Sequence, residues 1–157
     1  MRWRELAKDT SGRTAVLVFD NGDDVMPVLK DWCVEQRVTA AHFTAIGAFE
    51  RVVVAWFDWR TKEYRHTTID EQVEVLSLAG DVALNDGKPA IHAHVVVGRH
   101  DASTRGGHFV GGTVRPTLEL VIQESPAHLR KRHDPESGLA LIAPDAAGPA
   151  RSWSARN

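Results

Sequence analysis

The chain has a single cysteine, Cys33, in 157 residues. An intrachain disulfide is excluded, and a reducing cytoplasm is the compartment that fits. Cys33 falls on the apolar side of an expected helix and reads as core packing rather than as a nucleophile. No apolar run approaches the roughly 18 residues needed to cross a bilayer, so no membrane partner is expected. The first residues, Met1-Arg2-Trp3-Arg4-Glu5, lack the apolar stretch of a secretory signal. Neither sign of charge dominates. The formal net charge of −2 offers no general attraction to nucleic acid or to anionic lipid. A P-loop, a dinucleotide fingerprint and a Ser-His-Asp order are all missing, which removes several large enzyme classes.

What remains is the composition of an ordinary globular domain, with 43% hydrophobic and 25% charged residues. The length suits one domain, assigned to residues 1–142, and a core that needs no disulfide or metal to form. Val25, Val28, Leu29, Trp32 and Cys33 recur at helical spacing and form one apolar stripe. Pro27 falls in the first turn, and Asp20-Asn21-Gly22-Asp23-Asp24 supplies a turn that can also cap the helix. The rest reads mainly as strands: 14–19, 39–46, 50–58, 62–67, 71–84, 90–98, 107–110 and 116–124. Gly47 divides two of them, and Asn85-Asp86-Gly87-Lys88-Pro89 marks a turn between two others. Leu139-Ala140-Leu141-Ile142 reads as a last short strand. Residues 143–157, rich in Ala, Pro, Gly and Ser, read as a flexible tail in which Trp153 either docks or is exposed. The sum is an α+β domain with a mostly antiparallel, twisted sheet and one main amphipathic helix. One helix covers one sheet face. The other face and the edges call for curvature or self-association, and the aromatics on both sides of the Trp56–Trp59 stretch point the same way.

The chemistry concentrates in Ile91-His92-Ala93-His94-Val95-Val96-Val97 and Arg105-Gly106-Gly107-His108-Phe109-Val110-Gly111-Gly112. Strand alternation projects His92 and His94 to one face, with Ile91, Ala93, Val95 and Val97 on the other. With His108 delivered from a neighbouring segment, three imidazoles would form a nitrogen face for zinc or another divalent metal, leaving one coordination position open. A His-x-His pair also serves as an ordinary hydrogen-bonding pair. Gly106, Gly107, Gly111 and Gly112 suggest a shaped pocket wall or a bulge, or else two tight bends.

Several segments taken together resemble the plant-and-prokaryote-conserved (PPC, or PCC) domain family, whose stand-alone prokaryotic members carry a DNA-binding label. The resemblance runs through Glu74-Val75-Leu76-Ser77-Leu78-Ala79-Gly80, Pro89-Ala90-Ile91-His92-Ala93-His94-Val95, Gly106-Gly107-His108-Phe109-Val110-Gly111-Gly112 and Thr117-Leu118-Glu119-Leu120-Val121-Ile122. It covers about residues 13–124. It implies an antiparallel α+β fold, a homotrimer, and a metal-binding role for His92, His94 and His108. Glu74 and Ser77 fall in a stretch that resembles the plant segment associated with partner contacts. In plant relatives an Arg-Gly-Arg-Pro element precedes the domain and enters the DNA minor groove. The 157 residues here contain no such element, so direct nucleic-acid binding is expected to be weak or absent.

Other polar residues are weaker candidates. Glu119 interrupts an apolar run and is expected either to pair with Arg115 or to support a metal-bound histidine. Arg99 and Arg105 border the histidine region, where they would attract a small anionic ligand or read as solvated loop charge. Glu74 and Ser77 lie on opposite strand faces if the pleat is regular. Arg130-Lys131-Arg132 reads as a solvated basic face. Two functions compete: a trimeric regulatory or binding module, with a regulatory protein or small anion as partner, and a small zinc-dependent hydrolase or lyase using metal-activated water. No second catalytic group is evident beside the histidines, which favours the module.

Overall fold

A computed structural model describes residues 1–146. Among the described residues, one α-helix, a seven-stranded antiparallel sheet and a two-stranded hairpin make up the domain. The chain runs β1 (Arg2–Asp9), β2 (Gly12–Phe19), α1 (Val25–Glu35), β3 (Ala40–Asp58), β4 (Glu63–Ile69), β5 (Val73–Asn85), β6 (Lys88–Gly98), β7 (Thr104–Glu124), β8 (Lys131–His133) and β9 (Ala140–Ile142). The main sheet has the order β1-β2-β7-β6-β5-β3-β4, and β7 also pairs with β3. Those pairings bring β7, β6, β5 and β3 into a closed ring, so the sheet guards its inner strands by curling on itself. Strands β1 and β4 remain as edges.

The helix forms where the apolar stripe lies. Val25, Leu29, Trp32 and Cys33 are buried beneath it, against β6 and β7. Asp24 occupies the N-cap position, but its side chain does not cap the helix. It accepts instead from the Thr113 hydroxyl at 2.9 Å, which ties the helix start to β7. On β2, alternation buries Ala15, Leu17 and Phe19, and Leu118, Leu120 and Ile122 of β7 face the same core. Phe49 and Phe109 stack within it at 5.7 Å. Burial drives the Cys33 thiol up to about 12, so it stays protonated and packs as a small apolar group.

Three segments differ from the sequence expectation. First, β1 is a strand that the sequence pattern does not announce. It is exposed along all eight residues, so no face is selected for apolar residues. Second, Gly47 does not end a strand. It sits in a bulge inside the 19-residue β3. With φ at 149° and the Thr117 carbonyl oxygen 2.3 Å from where a Cβ would stand, only glycine lets β3 cross β7 there. Third, the expected strands at 107–110 and 116–124 are parts of one strand, β7.

The C-terminal part is a small hairpin of β8 on β9. It is fastened to the sheet by Leu84 N–H donating to the Leu129 carbonyl at 2.8 Å. Beyond it Ala143 is buried, and a short 3-10 turn spans Pro144–Ala146. The remainder of the expected tail, with Trp153, lies outside the described residues.

Candidate metal centre

Hairpin geometry sets the site. Asp86 and Gly87 both have positive φ, 49° and 77°, forming the two-residue turn between β5 and β6. The pairing Asn85↔Lys88 propagates up the ladder to Asp81↔His92 and Ala79↔His94. On the other side of β6, His94 pairs with His108 of β7. One donor atom from each of His92, His94 and His108 lies within 4.8 Å of the others. Ring centroids are separated by 5.1 Å (His92–His94), 5.2 Å (His92–His108) and 5.6 Å (His94–His108). His108 is placed by close backbone approach. A Cβ on Gly107 would stand 2.7 Å from the Ala55 carbonyl oxygen of β3. Gly106, its neighbour, pairs with Val96 of β6.

Burial lowers the His108 pKa to about 4, and His92, His94, His66 and Lys131 reinforce the shift. Burial, then His92, also holds His94 below its ordinary value. Both imidazoles therefore keep nitrogen lone pairs at neutral pH. His108 Nδ1 is buried without a hydrogen-bond partner. An orphaned imidazole nitrogen in a cluster of three is a donor set that fits a divalent cation of the zinc type.

A carboxylate supports the cluster. Asp81 Oδ2 stands 3.4 Å from His92 Nδ1, and its Oδ1 stands 3.5 Å from the Lys131 ammonium. Burial pushes the Asp81 pKa up, but the His92 and Lys131 contacts outweigh it and hold the carboxyl below its ordinary value. A carboxylate beside one ring nitrogen favours the proton there and leaves the other nitrogen free to ligate. Tyr64 packs on His108 with ring centroids 4.6 Å apart. Beside the histidines opens a cleft of about 420 Å³, walled by β6 on one side and by Leu139–Ile142 on the other.

The remaining expected site residues lie elsewhere. Glu119 is exposed on the outer sheet face beside Ile46 and Val121, away from the histidine cleft. Arg115 pairs not with Glu119 but with Glu50, at 3.4 Å. Arg99 is held by Glu71 at 2.6 Å, and Arg105 is exposed at the start of β7. Neither lines the cleft. Glu74 and Ser77 are not on opposite faces: a bulge at Leu76 interrupts the pleat and leaves all three exposed. Lys131 departs most from its expectation. Far from being solvated, its side chain is 8% exposed and turned onto Asp81. Asp81 and Tyr64 are the other site residues that the sequence reading missed. Asp81 was accessible by counting the register back from the Asp86-Gly87 turn. Tyr64 and Lys131 had no local signal.

Residues 6–126 match the Plants and Prokaryotes Conserved (PCC) domain. The chain belongs to this family. A PPC protein from Pyrococcus horikoshii is 30% identical and superposes with a TM-score of 0.80, over 85% of this chain and 92% of that one. A metal-containing protein from Archaeoglobus fulgidus is 32% identical, with a TM-score of 0.76 over 85% and 94% of the two chains. A protein from Bacteroides thetaiotaomicron, provisionally named for DNA binding, shares the fold at 22% identity, with a TM-score of 0.83 over 90% and 96%. Among the curated proteins none matches. Residues 131 and 139–142 of the cleft lie beyond the part of this PCC chain that the family domain covers.

Proposed function

We propose that this PCC protein is a homotrimeric, cytoplasmic binding module that carries a divalent metal, zinc or a chemically similar ion, on His92, His94 and His108. The observation that carries the reading is the gathering of three imidazole donor atoms within 4.8 Å, on rings that include the buried and unpaired Nδ1 of His108. The Archaeoglobus relative, called metal-containing, agrees with it. Assembly is supported by the outer sheet face, where Ile46 and Leu76 are 62% and 53% exposed next to Val121. A contiguous apolar surface of this kind is ordinarily covered by a partner. Glu74 and Ser77 border that face and would take part in partner contact. Direct nucleic-acid binding is weak and salt-sensitive at most, since the chain carries no excess positive charge.

A second reading, a small metal-dependent hydrolase or lyase, gains from the Asp81–Lys131 pair beside His92. A divalent ion there would supply Lewis-acid and water-activating chemistry. Asp81 would fix the His92 tautomer, and the cleft would hold a substrate against the histidines.

Elemental analysis of the purified protein and of a His92→Ala/His94→Ala double variant tests the metal assignment. Up to one metal per chain is expected in the former and none in the latter. Equal metal content in both would defeat the assignment.

A further inference from the structure

The β8–β9 hairpin brings to the histidine cleft a charged group whose neighbourhood is incomplete. Lys131 is 8% exposed, yet its ammonium, with three donors, meets Asp81 Oδ1 only at 3.5 Å. That distance is long for a charge-assisted hydrogen bond, and Oδ1 is itself buried without a hydrogen-bond partner. An ammonium removed from water and so loosely held retains donors for a further acceptor.

The cleft around it has two characters. Tyr64, Asn85, His92, His108 and Lys131 give it a polar end. Ala90 and Ile91 from β6, with Leu139, Leu141 and Ile142 from the hairpin, give it an apolar end. Leu141 and Ile142 are 46% and 39% exposed. A divalent ion held on the three histidines, with one carboxylate and one ammonium beside it, would leave the polar end with an excess of about two positive charges. The occupant is therefore an anion.

The same inventory selects the kind of anion. A phosphate calls for several converging donors, commonly a guanidinium, a helix N-terminus or a run of backbone N–H groups. Among the described residues no arginine lines the cleft, and its walls are mostly strands. One ammonium beside an apolar wall matches one carboxylate on a short hydrocarbon body. A volume of about 420 Å³ suits a small molecule rather than a peptide.

We infer that the cleft beside the histidines binds a small monocarboxylate with a short apolar body, recognised at its carboxylate by Lys131 and at its body by Leu139, Leu141 and Ile142. The inference rests on the metal centre proposed above and adds its ligand class. It also gives the β8–β9 hairpin a role, that of a selectivity element attached to the shared domain.

Cobalt(II) provides the test, because its visible absorption reports its surroundings independently of any activity. The full chain is loaded with cobalt and titrated separately with 4-methylpentanoate, its neutral amide and inorganic phosphate. Saturable binding of the acid is expected, with the amide and phosphate at least about tenfold weaker. Lys131→Met should keep the cobalt absorption and lose at least about tenfold in affinity for the acid, with Lys131→Arg recovering part of it. Leu141→Asp, at an exposed position that does not endanger folding, should weaken the acid similarly by adding a like charge. Failure of the wild-type chain to take up cobalt would overturn the metal centre, and this inference with it. Cobalt uptake with no binding of the acid would overturn the inference alone. Equal binding of acid and amide, tighter binding of phosphate, or unchanged affinity in both Lys131→Met and Leu141→Asp would do the same.

Discussion

At His108 a half-buried imidazole, its Nδ1 shut off from water, stands beside two others, and protonation is the step it resists. Its pKa, lowered by burial and by the neighbouring histidines, lies at about 4 against an ordinary 6.5. Between those values the unfolded chain binds a proton that the folded chain refuses, so folding stability rises with pH across this window. The metal-free protein should therefore keep its full His108 contribution above about 6.5 and lose it as pH falls toward 4. Thermal melting at several pH values, for the metal-free wild type and for His108→Asn, measures it. The variant should lose that part of the acid slope, and parallel curves would contradict the assignment. Asp81 makes a second residue-scale prediction. Removing its charge with Asp81→Asn takes away the group that orients His92, and should cost about 10–100-fold in metal affinity. Competition against a chromophoric chelator would show this. An unchanged affinity would mean that the 3.4 Å contact contributes nothing to the site.

Among the elements, β7 bears the greatest constraint, because it pairs with β2, β3 and β6. Gly107→Val should force β7 from β3, since even a Cβ would stand 2.7 Å from the Ala55 carbonyl oxygen. The expected cost is about 1–3 kcal/mol of stability, with weaker metal binding through His108. Gly111→Ala, on the same strand with nothing within 4 Å, should be tolerated. Denaturant titration of both variants checks the contrast, and similar losses would show that the tight approach is not what limits position 107. The same strands show what a sequence discloses. The helix is legible because Val25, Leu29, Trp32 and Cys33 repeat at its period. The shared face of His92 and His94 is legible because alternation on β6 is unbroken. Asp81 opposite His92 follows from the two-residue turn by counting. By contrast, β1 is illegible because all its residues are exposed, and Glu74 and Ser77 are misplaced because a bulge erases the period of two. Lys131 could not be read as part of the site, because a contact between β8 and β5 has no local signature. For Glu119 the apolar flanks suggested burial, but they alternate across a strand whose outer face it shares with Val121.

For the molecule as a whole, the closed ring of strands covers one side of the sheet and leaves the Ile46–Leu76–Val121 face bare. If further copies cover that face, light scattering should give about three times the chain mass of 17.3 kDa. Ile46→Asp/Leu76→Asp should shift the particle to the monomer mass, because buried unpaired carboxylates oppose assembly. A monomeric wild type would remove the homotrimer from the account. The sheet gathers His92, His94 and His108 within each chain, so a trimer would carry three complete metal centres. Crystals of the zinc-loaded protein, with anomalous differences collected at the zinc edge, test that claim most directly. The account predicts one peak per chain, about 2.0–2.1 Å from a nitrogen of each of the three histidines. A map with no peak there, or with zinc bound only at other residues, would contradict it.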